Sequence, residues 1–311
     1  MMASSLINFS NSNAAFFRRS LNDMRSLRAN AERLQQSIGT GERLSRSSDD
    51  PVAAAQLREL SRAGRLAEVD TANAARTAEQ LTLGADAITD IANELIRARE
   101  LAIFAASGTA SDAQRALVAD ELDQLRTSLL AAANARGNDG TALFGGETGG
   151  AAYAEDASGT VSYIGTSDPG ELSIGAELTI RRGVTGPEFL NFTDGAGNQT
   201  DVFTFFANLA LALRGGAADP AAAARDALGG LDNALDSTGR AQTILGARLA
   251  WIDSIQARQV DLAESRAQES SAIGDTDLTT AIAELQQTLT VLEASQAGFV
   301  RISSLTLFNA I

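Results

Sequence analysis

Residues 81–105 read LTLGADAITDIANELIRARELAIFA. Leu81, Gly84, Ile88, Ile91, Leu95, Ala98, Ala102 and Ala105 recur at steps of three and four. A period near 3.5 keeps one stripe turned toward a partner helix over many turns. Followed back to about residue 67, the element is roughly 60 Å long at ~1.5 Å per residue, a rod and not a globule. Gly84, Ala98 and Ala102 are small enough to let a neighbouring helix approach closely. Three more seams share the spacing. They are Met24, Leu27, Ala31, Leu34, Ile38; then Val118, Leu122, Leu125, Leu129, Ala132; then Leu278, Ile282, Leu285, Leu289, Leu292, Gln296, Phe299.

Outward from these seams the chain divides by composition. Two of its four prolines follow an aspartate, at Asp50-Pro51 and Asp219-Pro220, and each pair precedes alanine-rich periodic sequence. Asp accepts orphan amides at a helix start and Pro lacks the amide that would need a partner, so both pairs open helices. Between residues 141 and 200 the sequence turns to Gly, Thr and Asp. There Val161 and Tyr163, Leu172 and Ile174, and Leu178 and Ile180 alternate with polar neighbours, the period-2 pattern of half-buried strands. Asp194-Gly195-Ala196-Gly197-Asn198 is turn chemistry, followed by a short helix from about Asp201 carrying Val202, Phe206, Leu209 and Leu213. Phe189, Phe192, Phe203, Phe205 and Phe206 read as the core of this region, and Trp251 as a packing residue against the rod.

The expected fold is mainly α: a long antiparallel helical rod or coiled coil formed by both chain ends, with a small inserted β-rich head. The expected divisions are 1–45 for the N-terminal helix of a terminal coiled-coil domain and 46–140 for the first half of the rod. A head at 141–215, the second half of the rod at 216–270 and a C-terminal helix at 271–311 complete them.

Composition narrows the chemistry. The 311 residues contain no His, no Cys and no Lys, so all 25 basic residues are Arg. That removes an imidazole base, a thiolate, a disulfide framework, an ordinary zinc site, a Schiff base and a P-loop lysine. The net charge of −14 argues against nucleic acid, whose recognition needs clustered positive charge. Apolar runs fall well short of the ~20 residues of a membrane span, so no membrane partner is expected. The start, MMASSLINFSNSN, lacks the pattern of a secretory signal, which taken alone places the chain in the cytosol. No catalytic, metal-binding or cofactor-binding residue is expected.

The ends are the anomaly. Residues 1–48 hold seven Arg against Asp23, Glu32 and Glu42, a net of 7 − 3 = +4, whereas residues 271–311 hold Arg301 against Asp275, Asp277, Glu284 and Glu293, a net of 1 − 4 = −3. Opposite charge and matching heptads pair the ends. The run from Phe299 through Ile302, Leu305, Leu307 and Phe308 to Ile311 is more apolar than a lone two-helix hairpin hides, and such a surface seeks further copies. The candidate assembly interface is therefore Leu21, Met24, Leu27, Leu34 and Ile38 with Leu278, Ile282, Leu285, Leu289, Leu292, Phe299, Ile302, Leu305, Leu307 and Phe308.

Several stretches resemble one family in the family's own order. Thr40-Gly41-Glu42-Arg43-Leu44-Ser45-Arg46-Ser47-Ser48-Asp49-Asp50-Pro51 is similar to the start of the rod in bacterial flagellins. Further similarity lies in Arg97–Ile103 with Ser107-Gly108-Thr109, in Asn138-Asp139-Gly140-Thr141, in Leu245-Gly246-Ala247-Arg248-Leu249 and in Ile273-Gly274-Asp275-Thr276-Asp277. Within that superfamily, Ala297–Phe308 and Ala142-Leu143-Phe144-Gly145-Gly146 followed by Val161–Gly165 resemble its hook–filament junction members, with filament flagellin as the alternative. The resemblance implies export through the flagellar type III apparatus and an extracellular place in the flagellum, replacing the cytosolic expectation. It implies as partners further copies in a ring, an adjacent hook-associated protein, flagellin, and an export chaperone that holds the C-terminal segment.

Two rival functions remain at this level. A glycosidase needs only carboxylates, for which Glu155/Asp156 and Asp49/Asp50 are available. Adjacent strand residues face opposite ways, however, and Asp50 is already a helix cap. A coiled-coil signalling adaptor would share the helical seams but explains neither the β-rich insertion nor the apolar tail. Asn191-Phe192-Thr193 and Asn198-Gln199-Thr200 fit a glycosylation pattern by chance, and Gly39-Thr40-Gly41 lacks the preceding strand and following Lys of a nucleotide loop.

Overall fold

The computed structural model describes residues 3–175 and 178–308, with side chains at 15–175 and 178–304. Helix α1 spans Ala3–Thr40, α2 Pro51–Ala105 and α3 Asp112–Ala133. Strands β1 (Tyr153–Glu155), β2 (Val161–Tyr163), β3 (Glu171–Gly175) and β4 (Leu178–Arg181) precede a short α4 (Gly186–Leu190). Strands β5 (Asn191–Thr193) and β6 (Gln199–Asp201) lead into α5 (Val202–Leu211) and a π-helical turn, Ala212–Gly216. Helices α6 (Pro220–Gly274) and α7 (Leu278–Phe308) close the chain. The fold is mainly α, with long helices from both chain ends and a small β-containing insertion.

The Asp-Pro pairs start their helices by the expected chemistry. Asp50 Oδ1 accepts the amide of Ala53 at 3.0 Å, and Asp219 Oδ1 that of Ala222 at 3.0 Å. Helix α2 consequently begins at Pro51, well before the apolar seam does. Ser111 caps α3 in a reciprocal box with Gln114, each reaching the other's backbone amide.

Two compact units are present, residues 65–261 and residues 1–64 with 262–311. In the first, every member of the 81–105 seam is buried: Leu81, Gly84, Ile88, Ile91, Leu95, Ala98, Ala102 and Ala105. They join Val118, Leu122 and Leu129 of α3 and Ala234, Ala241, Leu245 and Ile252 of α6 in one core, continuous with Phe144, Phe189, Phe203 and Phe206 of the insertion. Helices α2 and α6 run antiparallel. Thr71 Oγ1 donates to Gln259 Oε1 (2.9 Å), Gln242 Nε2 to Thr89 Oγ1 (3.1 Å), and Arg99 Nε to Asp232 Oδ1 (2.6 Å).

The strands form three separate antiparallel hairpins, β1–β2, β3–β4 and β5–β6, and not one sheet. Asp156 Oδ1 closes the first turn through the amides of Ser158 (2.8 Å) and Thr160 (2.9 Å), and Asp194 Oδ1 the third through those of Ala196 (2.9 Å) and Asn198 (2.8 Å). A two-stranded hairpin is marginal alone. These are held by other elements: Arg126 of α3 donates to Glu155 Oε1 at 3.0 Å, and Arg248 of α6 to the Gly183 carbonyl at 2.5 Å. Trp251 corrects the sequence reading, since it is 38% exposed and the packing positions beside it are Ile252 and Ile255. Among the described residues no helix is long and apolar enough to cross a membrane.

Candidate assembly interface

In the unit of residues 1–64 and 262–311, α1 packs along α7. The pair is antiparallel: the Phe17 and Phe299 rings meet edge to face at 5.3 Å at one end, and Thr276 donates its amide to the Gly41 carbonyl at 2.8 Å at the other. Gly41 ends α1 with φ +76°, a left-handed position that glycine adopts without strain, and returns its amide to Ser37 O at 2.8 Å.

Beyond Gly41 the two loops of the unit are tied together. The Arg43 amide donates to Gly274 O at 2.7 Å, and its guanidinium reaches Ile273 O through Nε (3.1 Å) and Nη2 (2.8 Å). Nη1 stands 3.5 Å from Asp50 Oδ2, the α2 cap. Ser45 and Arg46 turn back onto Asp49 Oδ2 at 3.1 and 2.9 Å. On the facing side Asp277 caps α7, accepting from the Thr280 hydroxyl (2.8 Å) and the Thr279 and Thr280 amides (2.9 and 3.3 Å). Those bonds, the Thr280 hydroxyl foremost, hold the Asp277 carboxyl below its ordinary pKa.

The stripe of α7 that α1 covers is Ala281, Leu285, Thr288, Leu292, Ser295 and Phe299. It meets Phe17, Met24, Leu27, Ala31, Leu34 and Ile38, which are half-buried except for the fully buried Ala31. Of the candidate interface residues, Met24, Leu27, Leu34, Ile38, Leu285, Leu292 and Phe299 therefore sit in the chain's own hairpin seam. Leu21 (41% exposed), Leu278 (48%), Ile282 (44%), Leu289 (37%) and Ile302 (41%) stay outside it. The side chains of Leu305, Leu307 and Phe308 lie outside the described residues.

The reason is the width of the apolar arc. Leu278, Ile282, Leu289 and Val300 lie on one flank of the covered stripe, and Val291 and Ile302 on the other. At ~100° per residue the whole arc takes up roughly half of the helix circumference. One partner helix covers only its middle. Val291 and Val300, both exposed, belong to this arc and were missed by reading a single heptad line, as was the exposed Phe16 of α1.

Residues 11–148 match the family described as the bacterial flagellin N-terminal helical region. Over 288 residues the chain is 27% identical to flagellar hook-associated protein 3 of Escherichia coli strain K12, covering 88% of this chain and 90% of that protein. It is 27% identical over 294 residues to the same protein of Salmonella typhimurium, covering 89% and 92%. The solved hook-associated protein 3 of Legionella pneumophila shares the fold with a TM-score of 0.65 at 15% identity, covering 70% of this chain and 98% of that one. The chain is thus similar to the flagellin N-terminal helical region over residues 11–148 and to flagellar hook-associated protein 3 over most of its length.

Proposed function

We propose that the chain is a structural subunit of the junction between flagellar hook and filament, assembling with copies of itself into a ring through its terminal helical hairpin. The observation that carries this reading is the uncovered part of the α7 arc. Leu278, Ile282, Leu289, Val291, Val300 and Ile302 remain exposed on a hairpin that already buries its seam. Burying each large apolar side chain contributes about 1.5–3 kcal/mol, so neighbouring copies that cover both flanks offset the loss of freedom on association. The likeness to hook-associated protein 3 over 88% of the chain supports the same reading.

In this reading residues 1–45 and 271–311 form the assembling domain, 46–140 and 216–270 the rod, and 141–215 the head. The partners are an adjacent hook-associated protein below, flagellin above, and an export chaperone for the C-terminal segment during passage through the type III apparatus. The subunit acts by contact and not by catalysis. Chains lacking residues 1–45 or 271–311 are expected to keep the 65–261 unit folded and to fail to restore filament growth in a strain without the protein. Leu289→Glu with Val300→Glu, both on the uncovered flank, should leave the helical spectrum of the full chain intact and fail in the same way. Filament growth rescued by a trimmed chain overturns the reading.

A further inference from the structure

Helix α6 carries a second heptad line on its outer face: Arg240, Ile244, Ala247, Trp251, Ser254 and Arg258, at steps of four and three and all exposed. Ile244 is 45% and Trp251 38% exposed. Neither Arg240 nor Arg258 has an ion partner among the described residues. A heptad seam pointing away from its own core lacks the partner helix that such spacing serves. The outer face of α2 has a matching character. Ile96 (47%), Ile103 (49%) and Phe104 (47%) are exposed, with the exposed Asp86 and Asp90 about two turns before them.

We propose that the α6 face docks antiparallel on the α2 face of a second copy. The inference rests on the ring reading above and adds a lateral contact away from the terminal hairpin. Spacing and charge agree in one register. Trp251 and Ile244 are 251 − 244 = 7 apart and Ile103 and Ile96 are 103 − 96 = 7 apart, so Trp251 meets Ile96 as Ile244 meets Ile103. The same register sets Arg258 opposite residue 89, between Asp86 and Asp90. Arg258 thus faces the acidic Asp86 and Asp90 of α2 on a chain whose net charge is −14. Two different faces in contact make a heterologous interface, the kind that closes into rings.

The absence of native cysteine makes the register directly readable. Asn93 and Ser254 become opposed across this interface. Within one chain, the pairs 89 + 242 = 331 and 99 + 232 = 331 put Ser254 opposite Thr77, 93 − 77 = 16 residues from Asn93 and roughly 24 Å away along the helix at ~1.5 Å per residue. A disulfide between Asn93→Cys and Ser254→Cys therefore forms only between copies.

The full chain with both substitutions, assembled on isolated hooks and oxidised, is expected to give a ladder of covalent dimers and higher oligomers. Trp251→Glu in the full chain should keep wild-type helicity and melting and reduce assembly at least tenfold. Assembly without any ladder, or wild-type assembly by a folded Trp251→Glu chain, overturns the lateral contact. If Trp251→Glu assembles while a chain lacking residues 271–311 does not, the lateral contact falls and the hairpin reading stands. The reverse pattern leaves the lateral contact and removes the hairpin.

Discussion

Arg43 grips the carbonyl of Ile273, 230 residues away in sequence, with two guanidinium nitrogens at 3.1 and 2.8 Å. The contact joins two of the stretches by which the sequence resembles flagellins, so their separate likenesses describe one structural feature. It sits where both chain ends turn between long helices. Arg43→Lys keeps the charge but lacks the planar fork. The bond is partly exposed, so the expected loss is about 1 kcal/mol of local stability. The check is amide hydrogen exchange. The amides of Arg43 and Thr276, bonded to Gly274 O and Gly41 O, should exchange faster while the core amides of α2 stay unchanged.

Acid should act on the helix caps. Asp50, Asp219 and Asp277 all have carboxyl pKa values below the ordinary one. The principal causes are the Ala53 amide, the Ala222 amide and the Thr280 hydroxyl respectively. Depressed folded-state values mean that the caps contribute fully above the unfolded pKa of about 4 and lose their contribution as pH falls through the folded one. Helicity is expected to hold from pH 8 to 5, where without histidine no side chain at its ordinary pKa titrates, and to drop below about pH 4. Asp277→Asn should flatten that acid limb for α7, measured by circular dichroism against pH.

Two glycines inside helices should respond oppositely to alanine. A Cβ on Gly84 would meet Leu245 Cδ1 at 3.6 Å and Phe144 Cε1 at 3.9 Å, ordinary contacts. Gly84→Ala is expected to be neutral or to stabilise by up to about 1 kcal/mol through helix propensity. A Cβ on Gly230 would stand 2.6 Å from Phe205 Cε2. Gly230→Ala should destabilise by about 1–3 kcal/mol, since the ring must move. Urea unfolding of the two variants separates them.

The two tyrosines of the insertion provide a matched test. The Tyr153 hydroxyl is buried without a hydrogen-bond partner among the described residues, and burial pushes its pKa up. The Tyr163 hydroxyl donates to Thr166 O at 2.6 Å and lies 3.2 Å from Phe144 O. Tyr153→Phe is expected to leave the melting temperature unchanged or raised. Tyr163→Phe should lower stability by about 1 kcal/mol. A larger loss from Tyr153→Phe than from Tyr163→Phe would refute this assignment of the two hydroxyls.

Local chemistry was legible wherever it acts over a few residues. Asp50-Pro51 and Asp219-Pro220 mark helix starts because cap and missing amide are adjacent in sequence. The 81–105 seam is buried throughout because it joins residues of α3 and α6 in one core. Trp251 was misplaced because its size suggests burial, although Ile252 and Ile255 hold the inward positions of that turn.

Periodicity and composition alone establish long seamed helices, the insertion between them, and the lack of imidazole, thiol and lysine chemistry. They do not phase α7, whose apolar residues extend over about half of its surface and offer several equivalent stripes. That choice belongs to packing: Ala281 and Thr288 let α1 come close, and the bulkier Leu278, Ile282 and Leu289 are left facing outward. Helix spacing rewards the small side chain at the contact, a preference that exists only once two helices are side by side.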